Sequence, residues 1–249
     1  MKRTNSSLRK RILFLILGSV AVFFSACPKT SGEDFQSQLN VFGVIRSDAV
    51  QQIVRIDRNY AMDDTTNYDL QNAFATIRGD TFCDTLNYVN WRNFVSDLFL
   101  PVEPQHTYNI MVAADGLDTL RGETTVPGAF TIIFPQSGDT VFNDDTILIR
   151  KSKGGKVYEF RLDQNDTIPP QVVSFPDFLP DTVFCFLVSD LDSNMGEGNW
   201  LLQIAAYDSN FFNYQYQFRD NEYPQCGVSG GLGAFCSAYV NSVTFYYQP

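Results

Sequence analysis

The residues that most resemble a catalytic centre lie in one glycine-rich stretch near the C-terminus. Gly227-Val-Ser229-Gly230-Gly231 matches the G-x-S-x-G pattern in which hydrolases place a nucleophilic serine. Such a serine needs a histidine base, and His106 is the only histidine in the chain. No histidine follows Ser229, and valine stands where G-D-S-G-G proteases carry aspartate. We therefore predict that the glycines shape a tight loop and that the chain is not an enzyme, with a hydrolase as an alternative.

Oxygen ligands suited to calcium are concentrated in one acidic loop. They are Asp190, Asp192, Asn194 and Glu197, all within eight residues. Ca²⁺ prefers such ligands, although the loop lacks the flanking helices and closing glutamate of an EF-hand. Solvated loop acids are the other interpretation. We predict no cofactor apart from calcium at this loop. The 28 acidic residues single out no glycosidase-like pair of carboxylates.

An Asp-Thr-aliphatic tripeptide recurs along the chain. It resembles the acceptor motif for periplasmic O-glycosylation in Bacteroidetes-type bacteria. The alternative is structural, because aspartate favours turns and threonine favours strands. The threonines of the six copies are Thr85, Thr119, Thr140, Thr146, Thr167 and Thr182.

Aromatic side chains alternate with polar ones over residues 211–218. A period of two predicts a strand whose rings fill a sandwich core on one face. The alternative is a floor for a glycan or peptide. The rings are those of Phe211, Phe212, Tyr214, Tyr216, Phe218 and, beyond them, Tyr223.

The N-terminus predicts export and a lipid anchor. Five basic residues precede an apolar run over residues 12–24, which is too short to span a bilayer. The run ends in Phe24-Ser25-Ala26-Cys27, which resembles the lipobox of bacterial lipoproteins apart from the aromatic at its first position. We predict a signal peptide over 1–26, acylation of Cys27 by lipid that includes palmitate, and a polar tether over 27–38. The alternative is an ordinary signal peptide with a chance cysteine.

The remaining cysteines and the net charge describe the exported body. An even number of cysteines in an exported chain favours disulfides, and we predict one between Cys226 and Cys236 across the glycine-rich loop. Cys83 and Cys185 are expected to be buried and free. A formal charge of −10, more negative still without the basic signal, argues against nucleic acid and against electrostatic binding to anionic lipid. Attachment to the membrane must therefore come from the lipid.

Short apolar segments of period two, separated by turn residues, predict an all-β chain. Residues 86–100 are ambiguous between strand and helix. The sequence predicts two β-sandwich-like units of immunoglobulin or transthyretin type, over 39–127 and 128–249. The clearest predicted strands cover residues 39–46, 52–58, 72–78, 107–114 and 120–126 in the first unit and 130–134, 146–150, 157–162, 182–188, 200–207 and 239–247 in the second.

In their order, several short motifs resemble a family of uncharacterised outer-membrane lipoproteins of Bacteroidetes-type bacteria. After the lipobox they are Val41-Phe-Gly43-Val-Ile45, Asn72-Ala-Phe-Ala-Thr-Ile77, Tyr108-Asn-Ile-Met-Val-Ala-Ala114, Thr124-Thr-Val-Pro127 and Gly230-Gly-Leu-Gly-Ala-Phe235. The resemblance implies a cell-envelope β protein, on the periplasmic or surface side, whose gene lies near that of a TonB-dependent receptor.

These features together predict a non-catalytic binding or assembly module. Its expected partners are the membrane, through the lipid, and a TonB-dependent receptor or another envelope protein. The alternative is a calcium-stabilised adhesin or a protein that binds glycan or peptide.

Overall fold

The computed structural model describes residues 36–60, 70–97, 100–164, 171–177, 183–188, 195–216 and 225–249. Contacts group residues 37–249 into one compact unit, and the described part of it consists of strands and one helix. The all-β prediction is therefore confirmed. The strands are β1 Leu39–Arg46, β2 Ile53–Arg58, β3 Phe74–Arg78, β4 Cys83–Asn90, β5 Asn93–Ser96, β6 Thr107–Ala113, β7 Leu120–Thr125, β8 Thr131–Phe134, β9 Thr140–Val141, β10 Thr146–Arg150, β11 Val157–Asp163, β12 Gln171–Pro176, β13 Val183–Leu187, β14 Gly198–Tyr207, β15 Gln225–Cys226, β16 Val228–Ser229 and β17 Leu232–Tyr247, and the helix is α1 Ser209–Tyr216.

The N-terminal half encloses a core of its own. Its strands follow the order β1-β2-β5-β4-β3-β6-β7-β16, each bonded to the next. Inward positions alternate with outward ones, as in β1, where Leu39, Val41 and Ile45 are buried. Side chains from β1 to β7 form one cluster, with Phe94 and Ile110 among the fully buried members.

The C-terminal half is a sandwich of three strands on four. One sheet has the order β13-β10-β8, and opposite it lies the end β12-β11-β14-β17 of the long sheet that continues through β1 into the first half. The two sheets share a core that includes Ile147 and Ile149 from one side and Phe160, Leu202 and Phe245 from the other. This arrangement confirms the predicted sandwich architecture.

Strand β17 joins the two halves. Its first residues pair with β1 in parallel, from Asn40 with Leu232 to Arg46 with Ala238. Its later residues pair with β14 in the opposite direction, from Tyr207 with Ala238 to Gly198 with Tyr247. Phe235 accordingly packs in the core of residues 39–126, whereas Phe245 packs in the other core. The chain therefore has two hydrophobic cores within one compact unit, and residues beyond the predicted boundary at 127 and 128 contribute to both of them.

The join of β17 to β1 depends on close backbone contact at Gly233. This glycine has a φ of +106°, and a Cβ placed on it would lie 1.9 Å from the carbonyl oxygen of Val41. Only glycine fits that space, because any side chain would displace the β1 backbone. The G-G-x-G-x-F motif is therefore a structural element where the two halves meet.

The predicted strand over 211–218 is wrong, because residues 209–216 form helix α1. Asp208 precedes the helix and accepts a hydrogen bond from the Phe211 amide at 3.0 Å, the contact of an N-cap residue. Spacings of three and four residues in a helix bring the rings of Phe212 and Tyr216 together, with centroids 5.6 Å apart. The aromatic residues of this segment therefore fit both the two-residue repeat of a strand and the four-residue spacing of a helix.

The ambiguous stretch over 86–100 contains strand in its described part. Strands β4 and β5 form a hairpin, in which Asn90 pairs with Asn93. Trp91 and Arg92 form its turn with positive φ angles of 48° and 70°, the backbone that two-residue hairpins favour. The strand β12 was not predicted.

Candidate functional site

The structure separates the two residues that a hydrolase would need together. Ser229 pairs with Arg121 at the start of β7, whereas the His106 carbonyl bonds the amide of Val126 beyond the end of β7. Five residues of extended strand put them about 16 Å apart. His106 instead lies 3.5 Å from the Glu103 carboxylate, and the Ser229 hydroxyl lies 3.5 Å from the Arg121 carbonyl. The geometry offers no serine–histidine pair.

The predicted calcium loop lies mostly beyond the described residues. Asp190, Asp192 and Asn194 fall in the range 189–194, so only Glu197 can be placed. The Tyr246 hydroxyl donates to the Glu197 carboxylate at 2.6 Å. Within the described ranges, no group of three or more acidic, histidine or cysteine side chains is arranged to hold a metal ion.

Four of the six candidate glycosylation threonines are described. Thr85, Thr119 and Thr140 are exposed, and Thr146 is half-buried, so the acceptor hydroxyls lie at or near the surface. Thr167 and Thr182 lie outside the described residues.

The aspartate of this tripeptide has a turn-forming role in two copies. The carboxylate of Asp139 accepts from the Gln136 amide at 2.7 Å, and that of Asp145 accepts from the Phe142 amide at 2.8 Å. Each aspartate amide also bonds back to the carbonyl of the same partner residue. The turn therefore accounts for the aspartate at these two copies, and the threonine that follows it is the first residue of a strand, Thr140 in β9 and Thr146 in β10.

No disulfide joins Cys226 and Cys236. Both thiols are free and buried in one small cluster, and Cys226 pairs with Ala234 rather than with Cys236. Burial raises the pKa of both thiols, so the reactive thiolate is disfavoured. Cys83 and Cys185 are also free, but they are exposed, so their predicted burial is wrong.

The N-terminal prediction concerns residues that the structure does not describe. Cys27 and the whole signal segment precede residue 36. Among the described residues, no helix is both long and apolar enough to cross a membrane.

The aromatic rings of helix α1 are divided between packing and surface. Phe211 stacks on Tyr207 with ring centroids 4.1 Å apart, and the Tyr214 ring lies 5.1 Å from that of Phe42. Phe211, Phe212 and Tyr214 are half-buried, and only Tyr216 is exposed. Phe218 and Tyr223 lie outside the described residues. These rings cover the sheet and do not form an exposed aromatic floor.

A buried polar network lies beneath helix α1 where the two halves meet. The Thr124 hydroxyl donates to Asp208 Oδ2 at 2.5 Å and lies 2.8 Å from the Ser237 hydroxyl. All three residues are buried, and burial raises the pKa of Asp208. Thr124 lies on β7 in the first half, and Asp208 follows β14 in the second half. The network therefore links the two halves through side chains as well as through the backbone.

The candidate binding site is a polar groove on the outer face of the first half, which we call the outer groove. It consists of two adjoining cavities of about 620 and 460 Å³, which share Asn109, Arg121 and Gly122. Such volumes suit a small ligand. The side chains with polar groups along it are Thr76, Arg78, Asp80, Cys83, Asn109, Arg121, Glu123, Asn210 and Ser229.

The strand order brings these outward side chains together. Arg78 on β3 pairs with Asn109 on β6, and Met111, two residues further along β6, pairs with Arg121 on β7. Both arginines and Asn109 are exposed. Among the described residues, neither arginine side chain takes part in an ion pair, whereas Arg92 and Lys151 do. Sequence reasoning missed this site, although the alternation of β3, β6 and β7 marks these positions as outward.

The chain matches no protein-family model, and no curated protein matches it significantly. Among solved structures it is similar to the chicken CNTN1 FN1–FN3 domains, with 11% identity and a TM-score of 0.24, over 84% of this chain and 65% of that one. It is also similar to the fibronectin(III)-like modules of Clostridium thermocellum CbhA, with 11% identity and a TM-score of 0.24, over 84% of this chain and 94% of that one. A two-domain fibronectin type-III segment of chicken tenascin has 11% identity and a TM-score of 0.21, over 68% and 89%. The likeness concerns the β-sandwich fold alone, and this chain spans just under two thirds of the CNTN1 fragment.

Proposed function

We propose that this chain is a lipid-anchored protein of the outer membrane that binds a ligand without transforming it, and that the outer groove is its binding surface. The observation that carries the proposal is the groove itself, in which Arg78, Arg121 and Asn109 face outward from three neighbouring strands. Guanidinium and amide groups at such a surface bind ligands through directed hydrogen bonds.

The proposal of binding without catalysis is supported by the position of the polar groups. Ser229 lies at one end of the groove and has no histidine near it, because His106 is at the far end of β7. The other polar side chains of the groove include no histidine. The groove therefore contains no serine–histidine pair of the kind that serine hydrolases use.

The proposed anchor is the lipid on Cys27. The excess of acidic residues opposes adsorption of the body to anionic lipid, so the lipid would carry attachment alone. A TonB-dependent receptor is the proposed neighbour in the envelope, and its co-purification with the protein from solubilised outer membranes would test that part.

The anchor is tested by metabolic labelling of the full chain with an alkyne analogue of palmitate, followed by fractionation of the membranes on a density gradient. The native protein should carry label and sediment with outer membrane, whereas Cys27→Ala should carry none and leave that fraction. Cys185→Ala removes an exposed thiol that lies outside the groove and serves as the matched control, so its labelling should equal that of the native protein. Equal labelling of Cys27→Ala would refute the anchor.

A further inference from the structure

We propose that the ligand of the outer groove is an acidic oligosaccharide, bound through its sugar carboxylates by Arg78 and Arg121. This inference rests on the proposed function, because it names the ligand class of the same site.

The two guanidinium groups are placed to act on one ligand. Arg78 on β3 and Arg121 on β7 flank the intervening strand β6. Arg78 lies opposite Asn109 of β6 and Arg121 lies opposite Met111, so the two arginines are offset by two residues along the strands. The spacing of strands and residues puts their Cα atoms about 12 Å apart. Both side chains line the larger cavity, so each can bind a separate carboxylate of an extended ligand.

The charges of the groove distinguish a saccharide from a densely charged anion. Asp80 lines the larger cavity and Glu123 lines the smaller one, so two carboxylates oppose the two arginines. A polyphosphate or a nucleic acid carries closely spaced charges, which these two carboxylates would repel. A ligand with well-separated carboxylates and many hydroxyl groups fits both kinds of charge. Its carboxylates would bind the arginines, and its hydroxyls would donate hydrogen bonds to the carboxylates of Asp80 and Glu123.

The remaining polar lining suits hydroxyl groups. Thr76 and Asn109 lie in the larger cavity, and Asn210 and Ser229 lie in the smaller one. The Asn210 amide donates to the carbonyls of Glu123 and Phe235, so its own oxygen faces no protein donor among the described contacts. From Cys83 on β4 to Ser229 on β16, the groove crosses four strand spacings, or about 19 Å. This length favours an oligosaccharide over a single sugar.

The test is a calorimetric titration of the full lipidated protein in detergent with trigalacturonic acid, compared with its methyl ester, which has the same skeleton without carboxylate charge. The native protein should bind the acid and bind the ester at least about tenfold more weakly, because charge-assisted hydrogen bonds are the stronger class. Arg78→Gln and Arg121→Gln should each weaken binding of the acid by a similar factor.

Arg55→Gln is the matched control, because Arg55 is an exposed arginine on β2, outside the groove. It removes the same charge and should change the affinity less than about twofold. Equal affinities for acid and ester, or equal losses in all three variants, would overturn the proposal, as would binding only of an acidic peptide. If trigalacturonic acid does not bind but the native protein carries the palmitate label and sediments with outer membrane, the proposed ligand class is wrong and the proposed lipid anchor still stands.

Discussion

Replacing Gly233 with alanine tests whether the join between β17 and β1 requires glycine. At a φ of +106°, an alanine costs about 1–2 kcal/mol in backbone strain alone. Its Cβ would also lie 1.9 Å from the Val41 carbonyl oxygen and 2.7 Å from Asn40 Oδ1, so β1 must move away from β17. We expect a total loss of about 3 kcal/mol or more in the free energy of unfolding, in the range of severe single substitutions.

Gly116→Ala distinguishes the cost of backbone strain at positive φ from the cost of steric overlap between the added Cβ and the β1 backbone. Gly116 has a similar positive φ of +76°, but an added Cβ meets nothing within 4 Å. It should lose only the strain, about 1–2 kcal/mol. Urea unfolding monitored by tryptophan fluorescence gives both values. Equal losses in the two variants would refute the requirement for close contact at Gly233.

Three further predictions concern buried and acidic groups. Burial raises the pKa of Asp208 above its ordinary 3.8, so the folded state holds this proton more tightly and the stabilisation is lost as pH rises through the raised pKa. Relative to Asp208→Asn, the native protein should therefore lose unfolding free energy as the pH rises above 3.8 and through the raised pKa of Asp208, and parallel pH profiles would contradict this. Cys226 and Cys236 should react with a thiol reagent only after denaturation, and a disulfide between them would leave both unreactive without reductant. If the loop over 190–197 binds calcium, a chelator should lower the melting temperature; an unchanged value, also on adding calcium, would exclude a stabilising site.

The sequence predicts where the strands of this chain lie better than it predicts which strands pair with each other. Alternation correctly predicts β1, β6 and β7, because a strand with one buried face repeats every two residues. The parallel pairing of β1 with β17 joins residues nearly two hundred positions apart, and no local pattern specifies it. The glycine motif at 230–235 is visible in the sequence, but its structural role depends on that pairing.

In helix α1, a local alternation of aromatic and polar residues does not correspond to a strand. Its aromatics alternate with polar residues at 214–218, which suggested a strand, but Asp208 and Ser209 form a helix start that the sequence does contain. The helix is short and buries no residue, so its amphipathic pattern is weak.

The outer groove could be predicted only in part. The alternation marks Arg78, Asn109 and Arg121 as outward residues of their strands. Their convergence on one surface depends on β3, β6 and β7 being neighbours, with Arg78 opposite Asn109 and Met111 opposite Arg121. That order is a property of the sheet and not of any single segment.

The most direct test of the binding surface uses the methionine methyl groups of the full protein, labelled with ¹³C. Met111 lies half-buried in the outer groove, whereas Met195 is buried in the core of the other half. On titration with trigalacturonic acid, the NMR signal of Met111, assigned by Met111→Leu, should shift and saturate while that of Met195 stays in place. A ligand that binds and leaves the Met111 signal unmoved would contradict the outer groove as the binding site.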